Sequence, residues 1–395
     1  MSAGDAVVTL VIIGANPTVA RAAETLPGEL VHVQLPGAPA LDPGIVEARM
    51  VFTTDFRKGD AFLTFVDEVL APLRPAAVVS LTEPGLEPAA AAARRLGVRG
   101  VTPGVVGATR DKLTMRRVLE REAPHLNPDF APGDDPDAVA RLFARHERVV
   151  AKPVDGFGST AVRLLDTVHG FPEELATAAT LVEQYAEGLE FSVETLSSGG
   201  RHSFVGIAEK GTAGGFVEVS HVMPPPSLDD RRQRLVEGAV GELLDALGLT
   251  DGPSHTEVKV DGDKVTVIET HNRLGGDGIA DLVRLTTGID WRRAALGWPV
   301  GAGLRREPAA AAAAATVFFV AEPGTVTHIA PRPRLTHGVI AEWDVSARVG
   351  DEVRPLRSSE DRLGMAVLTA AGPAECVAAV AELTARRVIT TSPTT

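Results

Sequence analysis

The first hundred residues alternate strand and helix signals, and that alternation restricts the fold more than any other feature of the chain. "VVTLVIIGA" and "LVHVQLP" are apolar runs of strand length, and "AAVVSLT" is a third. Helical patterns fill the gaps at "PTVARAAETL", "GDAFLTFVDEVLAPL" and "GLEPAAAAARRLG", before a closing "VRGVTP". This order specifies an open parallel sheet covered by helices. The first strand–helix turn, "GANPTV", has one glycine and no G-x-G-x-x-G, so it lacks the dinucleotide fingerprint and places neither NAD nor FAD there.

With 395 residues, the chain exceeds one typical core and calls for two or three domains or lobes. "TRDKLTMRRVLEREAP" reads as a charged amphipathic helix stopped by Pro124, and "RVVAKPV" and "TAVRLL" as strands around a glycine-rich tip, "DGFGS". More strands are expected across "AATLVEQYAEGLEFSVETLSSGGRHSFVGIAEKG", then a long helix ending at Gly248. Two further helices follow at "GIADLVRLTTG" and "DWRRAALGWPVG". Ala309 to Ala315 form a low-complexity run leading into a strand. The tail reads as a small sheet with a final helix.

A net charge of −13 argues against a nucleic-acid backbone or an anionic membrane as partner, while leaving room for basic pockets that take small anions. Cys376 is the only cysteine, so no intrachain disulfide can form, which fits a reducing cytoplasm. Its place in "AECVAAVAELTARR" reads as a small buried apolar residue. No apolar run is long enough to span a bilayer, so a cytoplasmic protein is expected.

The chemistry concentrates in "TEVKVDGDKVTVIETHNRLGGD", residues 256–277, which reads as a tight hairpin. If "DGD" is a three-residue loop, Glu257 lies opposite Val267 and Glu269 lies two positions along on the same face, within reach of one shared metal. A two-residue loop would shift the register and send Glu269 to the other face. The following "HNRLGGD" adds a guanidinium and unhindered backbone N–H groups, which suit phosphate oxygens. A second element, "VVAKPVDGFGSTAV", sets Lys152 at the end of an apolar strand facing a loop with Gly156, Gly158 and Ser159. Such a loop lets backbone donors approach polyphosphate, but it is also an ordinary hairpin turn, and no Walker A motif is present. A third element, "LVEQYAEGLEF", holds Glu183 and Glu190 around a turn.

Taken in order, Lys112, Lys152 with its glycine loop, Glu183, Glu190, Glu257, Glu269 and Arg273 form a specific series. The chain resembles the ATP-grasp superfamily, and within it the L-amino-acid ligases that join a carboxylate to an amine, such as dipeptide synthetases. "SLTEPGLEPAAAAARRLGVRG", "TRDKLTMRRVL" and "VGDEVRPLRSSEDRLGMAVLTA" resemble the ligase branch in particular. The resemblance implies an α/β protein with α+β lobes, an ATP-grasp fold preceded by an N-terminal Rossmann-like parallel α/β domain. Its implied divisions are residues 1–107, a central lobe at 108–182 with the lid loop, and a C-terminal lobe at 183–395 with the metal site.

The resemblance also implies roles. Lys112 and Lys152 would hold the α- and β-phosphates of ATP, under a lid formed by Gly156, Gly158 and Ser159. Glu183, Gln184, Tyr185 and Ala186 would border the adenine, largely through backbone, and Glu190 would bind the ribose. Glu257 and Glu269 would ligate Mg²⁺, with Mn²⁺ as a substitute. Arg273 with the Gly275 and Gly276 backbone would stabilise the transferred phosphoryl and acyl-phosphate oxygens. The family usually reads E-x-N-x-R, with asparagine as third metal ligand. Here "ETHNR" puts His271 in that slot, so the third ligand is Asn272 through a local bulge, or else water or His271. Glu218 and His221 in "GGFVEVSHVMPPP", and His255, are candidates for the amino-acid pocket, Glu218 for an ammonium. The expected partners are small amino-acid substrates, with no nucleic acid and no membrane; a homodimer is compatible. A different ATP-grasp ligation, of D-alanine or purine-pathway type, and a nucleotide-binding regulator without turnover are the alternatives.

Overall fold

The computed structural model describes residues 8–156, 158–212 and 215–393. Its N-terminal part is the parallel sheet that the alternation specifies. Strands β1 (Thr9–Ile13), β2 (Glu29–Gln34), β3 (Met50–Thr53) and β4 (Ala77–Val79) pair in the order β3-β2-β1-β4, all parallel. Leu10 to Ile13 are fully buried because helices cover both faces, which is why this strand reads as a continuous apolar run and not an alternating one. Asn16 caps the first helix, Pro17–Ala23, accepting the Val19 N–H at 2.9 Å. "VRGVTP" does not make a strand; only Arg99 forms an isolated bridge, to Ala77.

A small antiparallel lobe follows. Strands β5 (Phe130–Pro132), β6 (Arg148–Pro153), β7 (Arg163–Asp166) and β8 (Thr180–Gln184) pair in the order β5-β8-β6-β7. Asp111 caps helix Lys112–Glu122, so Lys112 begins that helix beside the lobe. The division expected at residue 107 falls inside helix Pro103–Arg110, and the one expected at 182 falls inside β8.

The largest element is an eight-stranded sheet. Strands β9 (Leu189–Ser198), β10 (Arg201–Thr212), β11 (Glu218–Met223), β12 (Gly252–Asp261) and β13 (Lys264–His271) supply one side of it. Helix Asp230–Leu247 packs its apolar stripe beneath and ends at Gly248 in the left-handed region, φ +72°. The tail contains β14 (Ala313–Phe318), β15 (Gly324–Ile329), β16 (Val339–Val345), β17 (Glu352–Val353), β18 (Gly364–Ala370) and β19 (Ile389–Ser392). The full order is β13-β12-β9-β10-β11-β14-β18-β16, and β17-β15-β19 form a separate small sheet. Of the six tail strands, β15, β17 and β19 therefore make a small sheet as expected, while the other three, β14, β16 and β18, extend the large sheet. Ala313, Ala314 and Ala315 make this possible: all are fully buried, and their small side chains let β14 sit between its neighbours under helix Pro373–Ala385. Cys376 on that helix is fully buried, and burial raises its thiol to about 11. Among the described residues no helix is long and apolar enough to cross a membrane.

Candidate active site

The hairpin β12–β13 turns in two residues, with Gly262 at φ +60° and Asp261 paired to Lys264. By itself this register would set Glu257 against Ile268 and send Glu269 to the opposite face. A β-bulge between Glu257 and Val258 corrects it, because Ile268 is the extra residue and Glu257 pairs directly with Glu269. The two carboxylates share a face by a two-residue turn plus a bulge, not by a three-residue loop. His255 and His271 pair one step further along on that same face, and Thr256 and Thr270 bond to each other on the other. The bulge also frees the Ile268 carbonyl from the ladder. It accepts Arg116 Nη2 at 2.8 Å and Lys152 Nζ at 3.4 Å.

These cations belong to a buried charge network. Arg116 and Lys152 both reach Glu183, Lys152 at 2.7 Å, and together they hold its carboxyl below the ordinary range against the opposing effect of burial. Removing one partner of such a pair costs more than its absence would, since the other is left buried and charged. Lys112 Nζ bridges Gly156 O at 2.8 Å and Glu269 at 3.2 Å. Glu183 pairs through its backbone with Val150 and Phe130, and the amides of Gln184 and Tyr185 donate to Asp129 and Arg148 carbonyls. Just past the end of the strand, the Ala186 N–H has no backbone acceptor among the described residues.

Lys112, Lys152, Gly156, Ser159, Glu183 to Ala186, Glu190, Glu257 and Glu269 all line one cavity between the two lobes. Gly156, Gly158 and Ser159 all have positive φ, at 99°, 70° and 56°. Their loop is held from two sides, by Ser159 Oγ to Phe216 O at 2.9 Å and by the Ser359 N–H to Gly158 O at 3.2 Å. Phe157, within this loop, lies outside the described residues.

A second, wider chamber opens past Glu257 and Glu269, sharing both with the first. Its walls carry Glu83, Glu218, His221, His255, His271, Arg273, Asp277 and Arg362. Arg273 Nε binds Glu83 of the N-terminal domain at 2.6 Å. His221 Nε2 lies 3.2 Å from Asp277, and Arg362 of the closing domain grips the same carboxylate at 2.8 and 2.6 Å, which together pull it far below the usual range despite burial.

Three residues that sequence reasoning passed over organise this region. Glu194 is fully buried and accepts from His255 Nδ1, from the Gly275 N–H at 3.2 Å and from Trp291 Nε1 at 2.7 Å. Burial would lower the His255 pKa, but the Glu194 charge and hydrogen bond, helped by Glu257, outweigh it and raise it to about 9. Lys210 is buried and contacts Glu190, Glu218 and Glu257 at 2.7, 2.8 and 2.9 Å, so its own pKa is raised well above normal in spite of burial. Burial pushes the Glu257 carboxyl up and Glu269 opposes its ionisation, yet Lys210 and His255 bring it to about 2. Arg362 is the third. A signal existed for the first two: a charged residue inside "FSVETLS" or "VGIAEK" has nowhere to go but a buried partner.

Three side chains or amides sit differently from what the sequence led one to expect. Asn272 does not face the glutamates. Its Oδ1 accepts Thr109 Oγ1 at 2.9 Å, and its side chain borders a small apolar recess by Val78 and Trp298. Side chains alternate along the strand, so the residue beside Glu269 is His271, with Nε2 at 3.2 Å from it. Gly275 does not offer its N–H to a ligand either, because Glu194 takes it. The glycine is required for a different reason: a Cβ there would lie 2.6 Å from His255 Nδ1. Glu218 is paired with Lys210, not poised alone for an ammonium.

Glu257 and Glu269 offer paired hard oxygens on one face, a donor set that fits Mg²⁺.

Residues 167–281 match the ATP-grasp domain family, and residues 317–392 match the L-amino acid ligase C-terminal domain 2 family. Among curated proteins, an alanine–anticapsin ligase of Bacillus subtilis is 24% identical over 54% of this chain and 52% of its own length. An uncharacterised protein of Sinorhizobium fredii is 31% identical over 36% of this chain and 31% of its own. The matches thus span from about a third to half the length of these relatives. Among solved structures, an L-amino acid ligase from Bacillus licheniformis superposes with a TM-score of 0.74 at 22% identity, covering 98% of this chain and 99% of that one. Phosphoribosylglycinamide synthetase from Anaerococcus prevotii follows at 0.69 and 16%, covering 98% and 100%. The fold, with its parallel N-terminal domain and antiparallel lobes around a shared cavity, is that of an ATP-grasp protein. Its closing domain is similar, over residues 317–392, to the C-terminal domain 2 of L-amino acid ligases.

Proposed function

We propose that the chain is an ATP-dependent carboxylate–amine ligase that joins two amino acids in a dipeptide or γ-glutamyl-type amide. The observation that carries this reading is the continuity of two cavities at Glu257 and Glu269. One is lined by lysines suited to polyphosphate, and the other by acids, histidines and arginines suited to zwitterionic substrates.

In this reading a substrate carboxylate oxygen attacks the γ-phosphorus of ATP, the bond to the β-bridging oxygen breaks, and ADP leaves. The amine of the second amino acid then attacks the acyl carbon, and phosphate departs with its oxygen as the amine loses a proton. No side-chain nucleophile is needed, so the protein contributes position and charge. Lys112 and Lys152 neutralise the phosphates, Glu190 faces the ribose, and the Ala186 N–H serves the adenine edge. Glu257 and Glu269 would hold Mg²⁺, or Mn²⁺ in its place, which would supply positive charge to offset the negative charge of the phosphates. Arg273 brings a guanidinium to the phosphoryl side, and Glu218, His221, Asp277 and Arg362 form the polar wall for the amino acids. The loop with Gly156, Gly158 and Ser159, braced by Ser359, keeps water from the reacting groups. A cytoplasmic place, with ATP and free amino acids at hand, goes with this reading.

The test is an all-pairs amino-acid screen with Mg-ATP, read by phosphate release and product mass. At least one pair should give stoichiometric ADP, phosphate and an amide; ATP binding without ADP release for any pair would sink the proposal.

A further inference from the structure

The cage around Lys210 has no counterpart in the roles above. Lys210 on β10 sits one residue beyond the Glu209–Phe191 pair and reaches Glu190 on β9, and Glu218 and Glu257 reach it from β11 and β12. The Lys210 ammonium donates a hydrogen bond to Glu190 at 2.7 Å and forms ion pairs with Glu218 and Glu257 at 2.8 and 2.9 Å. Ligand oxygens of the three acids lie within 4.8 Å of one another, the spacing of a divalent-cation site. The ammonium occupies the point such a cation would take, so the two exclude each other. Because the lysine is tethered by its own strand and only 1% exposed as a side chain, it needs no recruitment from solution.

We propose that Lys210 is a built-in cation that fills the Glu190–Glu218–Glu257 cage in place of a divalent metal. The nucleotide-free protein thereby keeps Glu257 oriented without binding metal in the cage, and metal enters with the nucleotide on the Glu257–Glu269 side. Only that last clause rests on the ligase reading. Metal counting without nucleotide or amino acids tests the cage whether or not the chain ligates anything.

The experiment is Mn²⁺ titration of the nucleotide-free full chain, followed by electron paramagnetic resonance, for the native protein, E218Q, K210M and K210M/E218Q. The native protein should hold no Mn²⁺ that E218Q removes. K210M should gain one Mn²⁺ per chain at least about tenfold tighter than any native binding, because the three clustered acids then lose their shared ammonium and only Glu257 keeps a cationic neighbour, His255. The double variant should lose that gain. K210M that is stable only with Mn²⁺ present also supports the proposal. Native binding weakened by E218Q, or a folded K210M with no added Mn²⁺ site, overturns it. If K210M fails to fold with or without Mn²⁺, the comparison of native protein with E218Q decides alone.

Discussion

Replacing Glu194 by Gln should cost stability in a pH-dependent way, and the size follows from His255. Native His255 titrates at about 9 against an ordinary 6.5, chiefly because Glu194 counters the effect of burial. That difference corresponds to about 3 kcal/mol at 1.36 kcal/mol per pH unit. A group whose folded pKa is raised stabilises the fold fully below its unfolded value, and the stabilisation fades as pH rises through the folded one. The native protein should therefore lose up to about 3 kcal/mol from this source between pH 6.5 and 9.5, roughly 3–4 °C for a chain of this length melting as one unit. In Glu194→Gln the amide oxygen can keep the Gly275 and Trp291 N–H groups, but its NH₂ end then faces His255 Nδ1 and can serve only the neutral ring, not the protonated one. The variant should melt several degrees lower at pH 6, and the gap to native should narrow by pH 9.5. Melting scans across that range, with a proton-resonance titration of the His255 ring, read both quantities. A gap that stays constant with pH, or a native His255 titrating near 6.5, would refute the reasoning.

Lys152→Met should keep the fold, because Glu183 retains Arg116, while ATP affinity falls by at least about tenfold (about 1.4 kcal/mol) in calorimetric titration; an unchanged Kd would remove Lys152 from the phosphate site. Asn272→Ala should lower stability by about 1–2 kcal/mol through loss of the Thr109 contact, yet leave Mg-ATP affinity within about twofold; a tenfold loss would restore Asn272 as a ligand.

The hairpin illustrates how far the sequence could be read. Glu257 and Glu269 stand out because two acids flank a turn before "NRLGG", and their meeting on one face was a legible possibility. The route to it was not legible, since nothing local announces that Ile268 bulges; that is set by the tertiary pull of Arg116 and Lys152 on its carbonyl. Asn272 was misplaced for the same reason, because strand alternation beyond the bulge decides which of two adjacent polar residues faces the cleft. The parallel N-terminal sheet was legible because its strands are buried on both faces and punctuated by helices. The tail was less so, because alanine has no strand preference and Ala313–Ala315 take the strand state only from their neighbours in the large sheet. Glu194, Lys210 and Arg362 depend on long-range partners, and their roles emerge only when strands far apart in sequence are brought side by side.

The proposal's centre is the transfer of a phosphoryl group to a substrate carboxylate, and an oxygen-18 label tests it most directly. The carboxylate substrate of an active pair is labelled in both oxygens, and the released phosphate is analysed by mass. An acyl-phosphate path predicts one labelled oxygen in each inorganic phosphate, with ADP as the nucleotide product. Unlabelled phosphate, or AMP and pyrophosphate with the label in AMP, would contradict it.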